Sequence, residues 1–161
     1  MLKFRKSRED EFLKVYEFIS NCEGLENYFA HFYKIMLRYF GNSCFIAEDS
    51  DSVVGVVMGF FSQQHESTYF LWQIGVSPEH QGKGIGKNLL QYVEQELANA
   101  GIRRIEVTID PENIPSKKAF DKSGYTNISE QIGETITVNG NTAVKDHYSP
   151  GRHFMVYEKN L

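Results

Sequence analysis

Cysteine is scarce in this 161-residue chain: Cys22 and Cys44 stand far apart, and neither has a metal-ligand partner at short spacing. No cysteine-based metal site is expected, and both sulfurs are expected as reduced, buried thiols. Neither has a histidine beside it in sequence, which argues against a catalytic thiol. Excess positive charge is also missing. Lys and Arg total 17 against 21 Asp and Glu, a formal net charge of -4, so the basic face that nonspecific nucleic-acid binding requires is not expected. An acidic chain suits a cationic substrate better. No apolar run approaches the roughly 20 residues that cross a bilayer. Residues 1–6 lead into charge rather than into an apolar segment, so a cytoplasmic protein without membrane contact is expected. There are no repeats and no low-complexity tracts.

Aromatics, by contrast, are plentiful. With 12 Phe and 9 Tyr, the chain can bury a real core, and a single domain over 1–161 is expected. Ser7 is placed to cap a helix whose apolar residues Phe12, Val15, Tyr16 and Ile19 recur at helical spacing, ending near Gly24. A second helix is expected over about 26–40, with a broad stripe of Tyr28, Phe29, Phe32, Ile35, Met36, Tyr39 and Phe40. Strands 45–48 and 53–61 then make a hairpin around Asp49-Ser50-Asp51-Ser52, and 71–76 pairs next. Ile85, Leu89, Leu90, Val93 and Leu97 form one face of a later helix that stops at Gly101. Residues 104–109 read as a strand, most easily parallel to 71–76 because a short connection enters it from that helix. A short helix over 114–123 closed by Gly124, a hairpin over 135–144 about Asn139-Gly140 and a closing strand at 153–158 complete the pattern.

The stretch richest in chemistry is Gln81-Gly82-Lys83-Gly84-Ile85-Gly86-Lys87, between a strand that breaks at Pro78 and an amphipathic helix. A turn through three alternating glycines into a helix presents a row of backbone N–H groups at the positive end of the helix dipole. That is an anion cradle, suited to a pyrophosphate. Spacing separates the known nucleotide loops. A Walker A loop needs glycine where Gln81 stands and Ser or Thr where Asn88 stands. A dinucleotide fingerprint begun at Gly82 or Gly84 needs glycine where Lys87 or Leu89 stands. What fits is Q/R-x-x-G-x-G/A, met by Gln81, Gly84 and Gly86, and this resembles the coenzyme A loop of the GNAT superfamily of N-acetyltransferases. That family's next signature, N-x-x-A/S-x-x-hydrophobic-Y-x-x-x-G-F/Y, is matched in register by Asn113, Ser116, Ala119, Gly124 and Tyr125, with Phe120 where tyrosine is usual.

The resemblance implies an α+β GNAT fold: a central mixed, mostly antiparallel, twisted sheet of about seven strands, flanked by helices and splayed at the coenzyme A site. It implies acetyl-CoA as co-substrate, no metal, and transfer of an acetyl group to a primary amine by direct attack on the thioester. By the same resemblance, the coenzyme is held by the backbones of Ile74, Gly75 and Val76. Gln81, Gly82, Lys83, Gly84, Ile85, Gly86 and Lys87 supply the loop, and Asn113, Ser116 and Phe120 the second motif. Pairs of protomers are common in that family, so a homodimer is among the expectations, although nothing in the sequence marks a contact surface.

A thioester is already activated, so the protein has to hold the donor, admit a neutral amine and stabilise the oxyanion. A protonated amine must lose its proton, directly or through water. The candidate bases are Glu26, His31, Glu106, Asp110, His147 and His153, and the sequence does not choose among them. In many GNAT enzymes the leaving thiolate is protonated by the tyrosine replaced here by Phe120. Tyr33, Ser116, Tyr125 or water would serve instead, because a thiol with a pKa of about 8.5 leaves with little help. Residues 70–76, Phe-Leu-Trp-Gln-Ile-Gly-Val, and the segment Leu25-Glu26 followed by Tyr33 and 39–44 are similar to the diaminobutyrate acetyltransferases, which also tend to carry Phe at that tyrosine position. The finer likeness implies a small diamino acid as acceptor, with Trp72 walling the cleft, Glu26 meeting the ammonium and Tyr33 assisting near the thioester. Two other readings stay open: a protein lysine or N-terminal acetyltransferase, and a non-catalytic acetyl-CoA-binding sensor.

Overall fold

All 161 residues are described by the computed structural model, and they fall into two compact units, Met1–Ile102 and Arg103–Leu161. The first opens with a strand, β1 (Leu2–Lys6), that the charges at Lys3, Arg5 and Lys6 hide from a periodicity reading. It pairs antiparallel with β2 (Phe45–Asp49). Arg5 secures this edge by hydrogen-bonding both carboxylate oxygens of Glu11 at 2.9 Å and by an ion pair with Glu48. Ser7 does not cap the first helix. Its hydroxyl donates to the Gly41 carbonyl at 3.2 Å, and the Glu11 carboxylate accepts the Arg8 N–H at 2.9 Å, capping the short turn Glu9–Glu11 that leads into the helix.

The helix α1 (Phe12–Ser20) stops short of Gly24, and α2 (Ala30–Phe40) starts four residues later than its apolar stripe suggests. The reason is local. The Glu26 carbonyl accepts a hydrogen bond from the Gln73 side chain at 2.8 Å, where a helix would have offered it to the N–H of residue 30. Helices α1 and α2 pack on one face of the sheet through Val15, Ile19, Tyr33, Met36 and Leu37, against Ile46, Val56 and Met58. The hairpin β2–β3 (β3, Ser52–Phe61) turns through Ser50 and Asp51, both at positive φ (49° and 67°), as a two-residue hairpin turn requires.

The antiparallel pairing of β3 with β4 (Thr68–Val76) carries one irregularity that shapes everything after it. Met58 lies opposite Gln73 but Gly59 lies opposite Leu71, so Trp72 is an extra residue in β4. Side chains alternate across a strand, and one extra residue resets the alternation. Trp72 and Gln73, consecutive in sequence, consequently both reach the segment that precedes α2. After β4 comes a turn at Pro78–His80 and then α3 (Ile85–Asn99), which buries all five residues of its expected face. It closes at Gly101, where the N–H groups of Gly101 and Ile102 bond the Ala98 and Leu97 carbonyls at 3.0 Å each.

The second unit contains β5 (Arg104–Ile109), α4 (Ile114–Lys122), β6 (Thr126–Asn127), α5 (Ser129–Ile132), β7 (Thr135–Val138), β8 (Asn141–Ser149) and β9 (Arg152–Asn160). Strand β9 is antiparallel to β5, β6 and β8, and β7–β8 is the hairpin expected about Asn139-Gly140. Four strands in the first unit and five in the second exceed the seven or so expected. The surplus comes from β1 and from β6, whose two residues are too few to show a period. No helix is long and apolar enough to cross a membrane.

Candidate active site

The loop after β4 has the geometry that its sequence promised. Gly82 and Gly84 both sit at φ 77°, and a Cβ built on either would meet nothing within 4 Å. A left-handed conformation favours glycine, and the open space beside these two leaves the backbone approachable. Gly84 is the N-cap of α3, whose first intrahelical bond runs from the Asn88 N–H to the Gly84 carbonyl at 3.0 Å. The N–H groups of the first turn of this 15-residue helix therefore have no partner within the helix and point out of its positive end. Gly86 serves differently: a Cβ there would stand 3.3 Å from Val76 Cγ2, so glycine lets α3 lie close to β4. Lys83 and Lys87 are exposed at the loop, and the Gln81 amide donates to the Val76 carbonyl at 3.3 Å. These residues fit an anionic diphosphate held by backbone donors with two cations at its rim.

Leading into the loop, Ile74, Gly75 and Val76 pair with Val57, Val56 and Gly55 of β3. A side chain at Gly75 would come within 2.8 Å of Leu25 and 3.4 Å of the Cys22 sulfur. The missing side chain is what lets the α1–α2 connection lie down on β4. Cys22 and Cys44 are both buried and unlinked. Burial pushes both thiols up, that of Cys44 to about 11, so neither is poised as a nucleophile.

The segment 26–33 and β4 bring Glu26, Tyr33 and Trp72 together. The Trp72 indole N–H donates to the Tyr28 hydroxyl at 3.3 Å, and that hydroxyl donates to the Glu26 carboxylate at 2.7 Å. Tyr33 is fully buried and its hydroxyl donates to the Gln73 amide oxygen at 3.4 Å. Phe32 fills the space between, with its ring 4.6 Å from Tyr28, 5.4 Å from Trp72 and 5.2 Å from Tyr33. The result is one carboxylate on an aromatic wall, the arrangement that suits an ammonium group. Burial, aided by the neighbouring Glu26, pushes the Tyr28 hydroxyl up to about 12, and burial raises Tyr33 as well. Both stay protonated donors at neutral pH.

Tyr28 and Gln73 are the two members of this cluster that sequence reasoning did not single out. Tyr28 reads there as one more apolar position of the helical stripe. Gln73 did carry a signal, as the single amide within the apolar run 69–76, and it is 95% removed from solvent, with 5% of its surface left exposed.

The remaining candidates make other contacts. Glu106 is on β5 in the second unit, its carboxylate paired with Arg104 at 3.1 Å, and Arg104 also pairs with Glu158. The His31 ring stacks on Phe29 with centroids 5.8 Å apart. The Asp110 carboxylate accepts the Glu112 N–H at 2.9 Å, a turn contact. His147 lies against Tyr148, and His153 accepts the Asp146 N–H at 2.9 Å. In the second motif, Asn113 caps α4 by accepting the Ser116 N–H at 3.2 Å. Phe120 is buried edge-on against Tyr125, with ring centroids 4.9 Å apart. No hydroxyl is available at the position where the family usually has one.

The acetyltransferase (GNAT) family matches residues 7–125. The chain belongs to that family. GNAT acetyltransferases use acetyl-CoA as donor, and the fold is the family's α+β arrangement of sheet and flanking helices. The chain is similar to the L-2,4-diaminobutyric acid acetyltransferase of Shouchella clausii, 33% identical over 104 residues that make up 65% of this chain and 58% of the relative. The enzyme of the same name from Halomonas elongata is 31% identical over 120 residues, 74% of this chain and 62% of the relative. The chain therefore spans about three-fifths of the length of these curated relatives. Among solved structures it resembles the diaminobutyrate acetyltransferase EctA of Paenibacillus lautus, in complex with L-2,4-diaminobutyric acid and coenzyme A. That match has a TM-score of 0.76 and 23% identity, and covers 98% of this chain and 93% of the other. Ard1 of Thermoplasma volcanium matches with a TM-score of 0.80 at 14% identity, covering 99% and 97%. At such identities these structures speak for the fold alone.

Proposed function

We propose that this chain is an N-acetyltransferase that moves the acetyl group of acetyl-CoA to a primary amine of a small diamino acid of the 2,4-diaminobutyrate type. The observation that carries the reading is the Glu26 carboxylate held beside Tyr28 and Trp72 by side chains of β4, the strand that runs straight into the open glycine loop. The names of the curated relatives support the same acceptor.

Acetyl-CoA supplies an activated thioester whose carbonyl carbon accepts the amine, forming a C–N bond as the C–S bond breaks. The chain's own residues have three tasks. Gln81 to Lys87 bind the diphosphate through backbone N–H groups. Glu26 holds the acceptor's distal ammonium, so that the other nitrogen, neutral, faces the thioester. Tyr33, protonated and buried, is a hydroxyl able to give a proton to the departing sulfur and to regain the one that the attacking nitrogen releases, through water.

A thiol-release assay with acetyl-CoA against diamino acids, monoamino acids, aminoglycosides and peptide N-termini tests this. Release with diamino acids only is expected. Release with peptides alone makes the chain a protein acetyltransferase. No release with any amine, despite coenzyme binding, makes it an acetyl-CoA sensor, a role that the absence of a hydroxyl at Phe120 permits.

A further inference from the structure

We propose that Gln73 is a positioning residue that sets which amine the chain accepts, by clamping the segment carrying Glu26 and Tyr28 onto β4. The proposal rests on the acceptor reading above and deepens it. A primary amide in the middle of an apolar strand is costly to bury unless both of its ends are bonded, and here both are. Its nitrogen donates to the Glu26 carbonyl at 2.8 Å and its oxygen accepts from the Tyr33 hydroxyl at 3.4 Å. The segment it grips has no regular structure: residues 26–29 precede α2 and follow a turn. Glu26 and Tyr28 therefore depend on side-chain bonds for their placement. Of these, Gln73 fixes backbone directly at Glu26 and also accepts from the Tyr33 hydroxyl, which in turn accepts from the Tyr28 backbone N–H, while the Trp72–Tyr28 and Tyr28–Glu26 bonds join side-chain tips.

The extra residue in β4 is what makes the clamp possible. With regular alternation, Trp72 and Gln73 would project to opposite faces, and only one of them could meet the segment. As built, the indole bonds the Tyr28 tip while its neighbour bonds the Glu26 backbone, so the carboxylate is held at two points one residue apart on a rigid strand. An amide is required, because only a group that donates at one end and accepts at the other satisfies both partners.

The test uses the full chain and its single tryptophan, Trp72, as an internal probe. Wild type, Gln73→Met and Gln73→Glu are titrated with L-2,4-diaminobutyric acid by fluorescence, with coenzyme A by calorimetry, and assayed for thiol release. Gln73→Met keeps the volume and loses the clamp. It is expected to raise the acceptor KM at least tenfold and to weaken the fluorescence response in proportion. Coenzyme A affinity is expected to stay within twofold, and kcat to fall by a smaller factor than the acceptor KM rises, because Tyr33 loses its bond to the amide oxygen. Gln73→Glu can donate to the Glu26 carbonyl only when protonated, so its acceptor KM relative to wild type is expected to fall as pH is lowered from 9 to 6. If wild type responds and Gln73→Met gives the same acceptor KM, the clamp proposal is overturned and the acceptor reading stands. A general loss of coenzyme affinity, kcat and acceptor binding together also overturns it, as the mark of a merely structural residue. If wild type neither responds to any diamino acid nor releases thiol, the acceptor reading fails and takes this proposal with it.

Discussion

Replacing Gly84 with valine separates the two tasks that this residue performs. At φ 77° an L-residue is strained, at a cost of roughly 1–2 kcal/mol. In a chain of 161 residues each kcal/mol moves the melting midpoint by about 2–4 °C, so Gly84→Val should melt about 2–8 °C lower. No protein atom stands within 4 Å of the new Cβ, so the methyl groups enter the open space above the loop rather than the core. That space is where a diphosphate would approach the N–H groups of α3. Loss of one or two charge-assisted bonds, each about 1.5–3 kcal/mol, weakens binding roughly ten- to ten-thousandfold at about 1.4 kcal/mol per decade. Gly101 supplies the control: its φ is 87°, a Cβ there would likewise meet nothing within 4 Å, and it closes the other end of the same helix. Gly101→Val should lower the midpoint by a similar amount and leave coenzyme binding intact. Calorimetry with coenzyme A and thermal melts on both variants decide the matter. Gly84→Val that binds within twofold of wild type refutes the anion-cradle reasoning, as does equal loss of binding in Gly101→Val.

Glu26→Gln removes the negative charge from the aromatic wall while keeping its shape, and should raise the acceptor KM tenfold or more without changing coenzyme A affinity, as initial-rate kinetics would show. The Glu11 carboxylate is nearly buried; burial acts to raise its pKa, but hydrogen bonds from Arg5 and the Arg8 N–H, with their charges, hold it below the usual carboxylate range. A depressed folded value gives stability that is present above the unfolded pKa of about 4.3 and is lost as pH falls through the folded one. Glu11→Gln should therefore be less stable than wild type by about 3 kcal/mol at pH 7, and the gap should narrow as the pH falls below the unfolded value; denaturation curves that stay equally far apart at all acid pH values would contradict the assignment. Both thiols should resist a disulfide-exchange reagent at pH 8 in the folded protein and react fully in denaturant, and rapid native labelling of Cys44 would contradict its burial and raised pKa.

Elements whose own residues carry a period were legible in the sequence. The face of α3 is a case: Ile85, Leu89, Leu90, Val93 and Leu97 repeat at helical spacing and are all buried. The β7–β8 turn is another, since Asn139-Gly140 has the positive φ values that such a pair favours. The glycine loop was legible because its spacing admits one family of nucleotide loops and excludes two others. What escaped was set by contacts between distant residues. Strand β1 is dominated by charges, and the residue that pairs with Arg5 across to β2, Glu48, is 43 positions away. The late start of α2 depends on a side chain 47 positions further on. The bulge at Trp72 is a matter of register with β3, which no pattern within β4 alone reveals. The same register explains why Trp72 and Gln73 act as a pair.

That one inserted residue also has a bearing on how such a protein can change. On the proposed reading, the two residues that anchor the acceptor wall, Trp72 and Gln73, and the rail that carries the donor are neighbouring stretches of a single strand, Thr68–Val76, so the separation of anchor and rail is measured out by the backbone at about 3.3 Å per residue. Exchanging the two side chains at the kink would retune the choice of amine while the reacting distance stays ruled by covalent geometry. New specificities would then be reachable by point substitution, without rebuilding the machinery that handles the thioester.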